Sequence, residues 1–148
     1  MTGNLDPTDW AILGELQRDG RIALTELGRR VNLSASATTE RVRRLESAGI
    51  ITGYRAEVDL DKVGYAVLAV VRLKYPGNRH DPLHALLAER PEILECLRTT
   101  GDDCYTLKVA ATSMTHLEQV VNDLTGFGST TTNIVYSQTL RYRGVSPT

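Results

Sequence analysis

The sequence predicts an α+β chain in two parts: three helices with a small wing, then a split βαββαβ, ferredoxin-like sandwich. Three observations predict it. Apolar residues recur at spacings of three and four up to Ala48, the signature of amphipathic helices. From Val67 onward, β-branched runs alternate with two helical stretches. Between them Asp59 to Gly64 is polar and closes on a glycine, so the expected division is residues 1–60 and residues 61–148.

In the first part, Asp6 is placed to cap a helix that has Pro7 in its first turn and Asp9 near the positive end of its dipole. Trp10, Ile12, Leu13 and Leu16 form its apolar stripe, and Asp19-Gly20 stops it. A short second helix is expected over about Thr25 to Val31, with Leu24, Leu27 and Val31 inward. Ala23 gives it no side-chain cap, and Asn32 suits the left-handed exit from its end. Ser34 opens a third helix that runs to Ala48, with Thr38, Val42 and Leu45 toward the core and Gly49 ending it. Ile50 to Val58 then reads as a small hairpin, the wing.

In the second part, Val67 to Tyr75 is a strand followed by the turn Pro76-Gly77-Asn78. Asp81-Pro82 starts a helix carrying Leu83, Leu86 and Leu87 that must end before Pro91. Ile93 to Thr100 and Tyr105 to Ala111 are strands joined by Gly101-Asp102-Asp103. Ser113 or Thr115 caps a helix with Leu117, Val120, Val121 and Leu124, and Thr130 to Tyr142 is the last strand. Val67, Ala69 and Val71 should lie on one face of the sheet and Leu68, Val70 and, roughly, Leu73 on the other. Helices cover one face only, so a second copy of the chain is the simplest cover for the other.

Composition excludes several classes. With 148 residues, 41% hydrophobic and 24% charged, the chain is an ordinary globular one. No stretch approaches the ~18 apolar residues of a membrane span. The start, Met-Thr-Gly-Asn-Leu-Asp, lacks the basic-then-apolar pattern of a secretory signal, and two cysteines in no ligand spacing suit a reducing compartment; a cytoplasmic location is expected. A net charge of −1 disfavours indiscriminate polyanion binding, so any nucleic-acid contact must be a local patch. Phosphate-loop, zinc-protease and nucleophile-elbow motifs are missing, and Gly126-Phe127-Gly128 leads into Ser-Thr-Thr rather than a helix. His80 and His84 are separated by the helix start at Asp81-Pro82, and Cys104 beside Asp102 and Asp103 makes a poor nucleophile. No catalytic or metal site and no bound cofactor is therefore expected.

The third helix is short of bulk on its outward side. Ser36, Thr39, Glu40 and Arg43 lie away from Val42 and Leu45, Arg41 and Arg44 flank them, and Ala35, Ser36 and Ala37 keep its start slim. Such a helix fits the major groove of duplex DNA: arginine can bond guanine O6 and N7, serine and threonine read several base edges, and the N-terminal amides favour phosphate. The expected DNA-binding residues are Ser34, Ser36, Thr38, Thr39, Glu40, Arg41, Arg43 and Arg44.

The ordered string Leu5-Asp6-x-x-Asp9-x-x-Ile12-Leu13, Asp19-Gly20-Arg21, Glu26-Leu27, Val31-x-Leu33-Ser34 and Arg41-Val42-x-Arg44-Leu45-Glu46-x-x-Gly49-Ile50-Ile51-x-Gly53-Tyr54 resembles the leucine-responsive/asparagine (Lrp/AsnC) family of transcription regulators. The resemblance covers nearly the whole chain. It implies a winged helix-turn-helix linked to a ferredoxin-like domain of the amino-acid-metabolism regulation type, promoter binding as dimers or larger assemblies such as octamers, and response to a small amino acid held between dimers. The family's effector loop matches Gly101-Asp102-Asp103-Cys104-Tyr105, with Cys104 where an acid is common, and Thr130 and Thr132 match its other wall. Asp102 or Asp103 would receive the ligand ammonium. Two alternatives share the architecture: a sirohaem-decarboxylase-like enzyme, which uses histidines and degenerate DNA-binding helices, and an amino-acid sensor that has lost DNA binding. The arginines of the third helix weigh against both.

Overall fold

Asp6 and Asp9 begin the first helix by capping each other. The Asp9 amide donates to Asp6 Oδ1 (2.8 Å), and the Asp6 amide donates to Asp9 Oδ2 (3.3 Å). With Pro7 at its start, this reciprocal cap sets α1, Pro7–Arg18. The computed structural model describes residues 5–147. Residues up to 57 together with those from 140 onward form one unit, and residues 58–139 form the other.

The first unit packs α1, α2 (Leu24–Arg30) and α3 (Ala35–Ser47) around Ile12, Leu13, Leu27, Val42 and Leu45. Asn32 takes the left-handed conformation expected of it, with φ 56°, and turns the chain between α2 and α3. That turn is tight because Gly28 lies under it. A β-carbon there would stand 2.7 Å from Thr38 Oγ1 and 2.8 Å from the Leu33 carbonyl. Thr38 is fully buried, and its hydroxyl donates to the Ser34 carbonyl (2.8 Å). Leu24, expected inward, is 38% exposed at the first position of α2.

The wing is not a hairpin. Residues 50–58 form no strand among the described residues, because their leading polar groups are already engaged by α3. The Ile50 and Ile51 amides both donate to the Leu45 carbonyl (2.9 and 3.1 Å), and the Tyr54 hydroxyl donates to Glu46 Oε1 (2.9 Å).

The second unit opens with a 3-10 turn, Asp61–Val63, and then follows the expected order: β1 (Val67–Lys74), α4 (Asp81–Glu89), β2 (Ile93–Arg98), β3 (Tyr105–Ala111), α5 (Met114–Thr125) and β4 (Ser129–Ile134). Ser113 is the α5 cap, accepting from the His116 amide. The four strands form an antiparallel sheet in the order β2-β3-β1-β4. Ala69, Val71, Leu73, Leu107 and Val109 are fully buried beneath the helices with Leu83, Val120 and Leu124. Leu73 belongs to this covered face, not to the open one, because the two-residue period of β1 keeps it in step with Val71. The open face carries Leu68 and Val70, then Arg72 and Lys74.

The last strand is shorter than the sequence suggests. β4 pairs with β1 only as far as Ile134, opposite Ala69, and the Val135 amide makes a final bond to the Leu68 carbonyl. Beyond that β1 offers no further backbone, so the chain leaves the sheet. Its tail joins the first unit instead, where the Gln17 side-chain amide bonds both the Val145 carbonyl (2.9 Å) and the Val145 amide (2.8 Å). In the fold, residues from 140 onward thus group with the helical unit.

Gly28→Ala should destabilise the chain by about 1–3 kcal/mol, the usual range for overpacking a close contact. A denaturant midpoint equal to that of the parent chain would show that the α2–α3 turn has room to spare.

Candidate nucleic-acid interface and ligand site

Ser34 sets the start of α3, its Oγ accepting from the Ala37 amide (3.2 Å) and lying 3.2 Å from Ser36 Oγ. Thr38, Val42 and Leu45 form the buried edge of the helix. That leaves Ser34, Ser36, Glu40 and Arg43 exposed and Thr39 half-exposed, its hydroxyl donating to the Ala35 carbonyl (2.8 Å). Arg43 forms no ion pair among the described residues, so its five donors are available. Thr38 is the one expected DNA contact that burial removes, because helical spacing puts it on the stripe with Val42.

The flanking arginines are not free. Arg41 Nη1 donates to Asp6 Oδ2 (2.6 Å) and Asp9 Oδ1 (2.9 Å), while Arg44 Nη2 donates to both Asp9 oxygens (2.6 and 2.7 Å). Asp9 is the hub, with only 3% of its side chain exposed against 28% for Arg41 and 57% for Arg44. A carboxylate so buried is tolerable because it is both paired and hydrogen-bonded. The Arg41 guanidinium, helped by the Asp9 amide, holds the Asp6 carboxyl below its ordinary value. Arg29 and Arg30 of α2 are likewise paired: both donate to Glu26, two bonds from Arg29 and one from Arg30, and these pull the Glu26 pKa down to about 2.

Sequence reasoning read Asp9 only as a charge near a helix end. Its partners lie 32 and 35 positions away, and no local spacing announces them.

The loop between β2 and β3 turns at Gly101, where φ is 102°. Asp102 is exposed with Lys74 Nζ 3.6 Å away, and Asp103 lies 3.7 Å from Arg72 Nη1. Cys104 is partly buried and points its thiol at the Leu73 and Tyr75 carbonyls. Tyr105 is almost wholly buried, and that burial pushes its phenol pKa up. Its hydroxyl lies 2.8 Å from His80 Nδ1 and 3.3 Å from His84 Nε2. Arg98 Nη2, which can only donate, lies 3.2 Å from His80 Nε2. This fixes the direction of the chain: Arg98 donates to His80, His80 Nδ1–H to the Tyr105 oxygen, and the Tyr105 hydroxyl to His84. His80 lies outside α4, as the sequence suggests, yet the fold brings both histidines to one phenol.

Register brings the two expected ligand walls to one end of the sheet. Leu73 pairs with Tyr105 on one side and with Thr130 on the other, so the loop and the start of β4 flank the end of β1. Thr130 is half-buried. Thr132, one step further along the edge strand, lines an open, largely apolar cavity of about 280 Å³ with Met114, Leu117, Glu118, Val121 and Ile134. No cluster of three or more His, Cys, Asp or Glu side chains suited to a metal occurs among the described residues.

These two sites correspond to known modules. Residues 5–52 match the family model for a winged helix-turn-helix DNA-binding domain, and residues 68–145 match that for the Lrp/AsnC ligand-binding domain. The chain belongs to the Lrp/AsnC family. It is 37% identical to the transcriptional regulator LrpC of Bacillus subtilis, over 90% of this chain and 93% of that one. The solved structure of LrpC superposes with a TM-score of 0.87, at 36% identity over 90% of this chain and 96% of that chain. A feast or famine regulatory protein of Mycobacterium tuberculosis, solved with L-methionine, gives 0.90 at 32% identity over 97% and 99% of the two chains. This Lrp/AsnC member is thus a DNA-binding transcriptional regulator.

The cap of α1 and its bridge to Arg41 should weaken in acid. Because the folded-state pKa of Asp6 is depressed, its contribution is complete above the ordinary value of 3.8 and is lost as pH falls through the lower one. Asp6→Asn, which keeps a cap acceptor, should therefore flatten the fall in stability below about pH 4. Identical acid profiles for the two chains, measured by denaturant titration, would remove Asp6 from the account.

Proposed function

We propose that this regulator reads operator DNA through the exposed side of α3, presented by a pair of chains, and that a small amino acid changes how those pairs assemble. One observation carries the DNA half of the reading. Arg43 is exposed and unbridged among the described residues, two turns into α3, on the same surface as Ser36, Thr39 and Glu40 and the capping Ser34 at the helix start. Arg43 would bond a guanine edge, Thr39 and Glu40 would select neighbouring bases, and Ser34 and Ser36 would meet phosphate beside the helix start. The helix-turn-helix unit and the sheet unit divide this labour, one for DNA and one for ligand and assembly.

Pairing of chains is supported by the uncovered sheet face, where Leu68 and Val70 lie half-buried and Leu97 is exposed. Two α3 helices held about 34 Å apart would enter successive major grooves, so operators should be roughly palindromic. Assembly of dimers into octamers follows from the same reading, as does work in the cytoplasm, where the DNA is.

The ligand half rests on charge arrangement. An amino acid is a zwitterion, and the end of the sheet sets Asp102 and Asp103 beside Lys74 and Arg72. Gly101 turns the loop at this end, whereas Thr130 and Thr132, in register with Leu73 and Val71, lie on the helix-covered face, so the charged groups and not the threonines carry this reading. Cys104 and Tyr105 shape the floor rather than touch the ligand, since their polar atoms are already engaged. L-methionine, present in the mycobacterial relative's structure, is the first ligand to try.

Arg43→Ala should weaken binding to a DNA fragment selected from genomic DNA by about 10–100-fold, with little change on a random duplex, matching one bidentate base contact of about 1–3 kcal/mol. Equal losses on both DNAs would move the reading face elsewhere. Separately, Asp102→Ala should abolish any effect of L-methionine on assembly mass by light scattering while leaving DNA affinity unchanged. A variant that responds as the parent does would place the ligand elsewhere.

A further inference from the structure

We propose that Asp6 and Asp9 act as built-in phosphate substitutes that keep Arg41 and Arg44 off the DNA backbone, so that recognition depends on Arg43. This rests on the reading of α3 as the DNA-facing helix. α3 carries three arginines within four positions, and all three would be expected to add sequence-independent attraction to a polyanion. The fold treats them differently. Arg41 gives Nη1 to two carboxylates, Arg44 gives Nη2 to both oxygens of one, and Arg43 between them is given to none.

The substitution is chemically apt. A carboxylate presents guanidinium with two oxygens in the geometry that a phosphate would offer, and charge-assisted bonds of 2.6–2.7 Å are strong ones. Asp9 cannot let go cheaply. With 3% of its side chain exposed, a phosphate that took Arg44 away would leave a buried carboxylate with only Arg41 and the Asp6 amide as partners. Arg44, at 57% exposure, is still near enough to solvent to reach a backbone phosphate once it is released. The pairing therefore sets how much of the affinity is indifferent to sequence.

Counterion release measures this directly, because each phosphate contact steepens the slope of log K against log salt by about 0.9. The experiment uses the full-length chain on a random-sequence duplex and on a genomic fragment that it selects. Asp9→Asn should steepen the slope by about 0.9 or more and raise affinity for the random duplex more than for the selected one. Asp9→Asn combined with Arg44→Ala restores the parental net charge and should return the slope to the parental value. Asp6→Asn, which leaves Asp9 in place and keeps the helix cap, should give a smaller change of the same sign and covers the case in which Asp9→Asn does not fold.

Glu57→Gln, exposed and without an ion pair among the described residues, controls for net charge alone. Unchanged slopes in the folded variants would overturn the proposal. So would a slope that stays steep in the Asp9→Asn, Arg44→Ala double variant, or an equal steepening by Glu57→Gln. Loss of selective binding in Arg43→Ala tests the reading face and is independent of these results.

Discussion

A single buried carboxylate organises the DNA-binding unit. Asp9 closes the cap of α1 through its side chain and amide, and the same two oxygens bind Arg41 and Arg44 of α3. Without those partners its burial would be prohibitive, and without its burial the partners would be ordinary surface arginines. The direction of α3 relative to α1 follows from that mutual dependence. The hydrophobic contacts of Ile12, Leu13, Leu27, Val42 and Leu45 supply adhesion, but apolar packing alone tolerates small rotations. The ionic bridge does not, since carboxylate and guanidinium must meet in a defined geometry. Gly28 completes the constraint from the other side by letting Thr38 press against the α2 backbone.

The consequence for function is a separation of tasks along one helix. Residues on the inner stripe, Thr38 among them, hold the fold. The flanking Arg41 and Arg44 hold the orientation. In the proposed reading Arg43, with Ser34, Ser36, Thr39 and Glu40, is left to meet DNA. An overall charge of −1 disfavours general attraction to DNA and fits the proposed reading, in which selectivity comes from a few placed donors.

Much of this could be read from the residues. Caps at Asp6 and Ser34, the left-handed Asn32, the element order and the outward position of Arg43 all follow from local rules, which act over four or five positions, while Ser113 was one of two candidate caps. What could not be read was set at long range. The Asp9 bridges span more than thirty residues. The Tyr105–His80–His84 chain depends on β3 lying beneath the start of α4. The length of β4 is decided by where β1 ends, and the extended tail by Gln17 of a distant helix. Ile50 to Val58 misled because alternation of apolar residues signals extended backbone without saying whether it has a strand partner. Leu73 was legible and misassigned: two residues after Val71, it shares that face by the alternation of the strand alone.

The central claim is that Asp9 keeps Arg44 bridged while α3 lies in the groove. A crystal structure of the regulator bound to a DNA fragment that it selects tests this most directly. The account predicts Arg43 within hydrogen-bonding distance of a base edge and the Asp9–Arg44 bridge intact. A complex in which Arg44 has left Asp9 for a backbone phosphate, or in which Arg43 points to solvent, would contradict it.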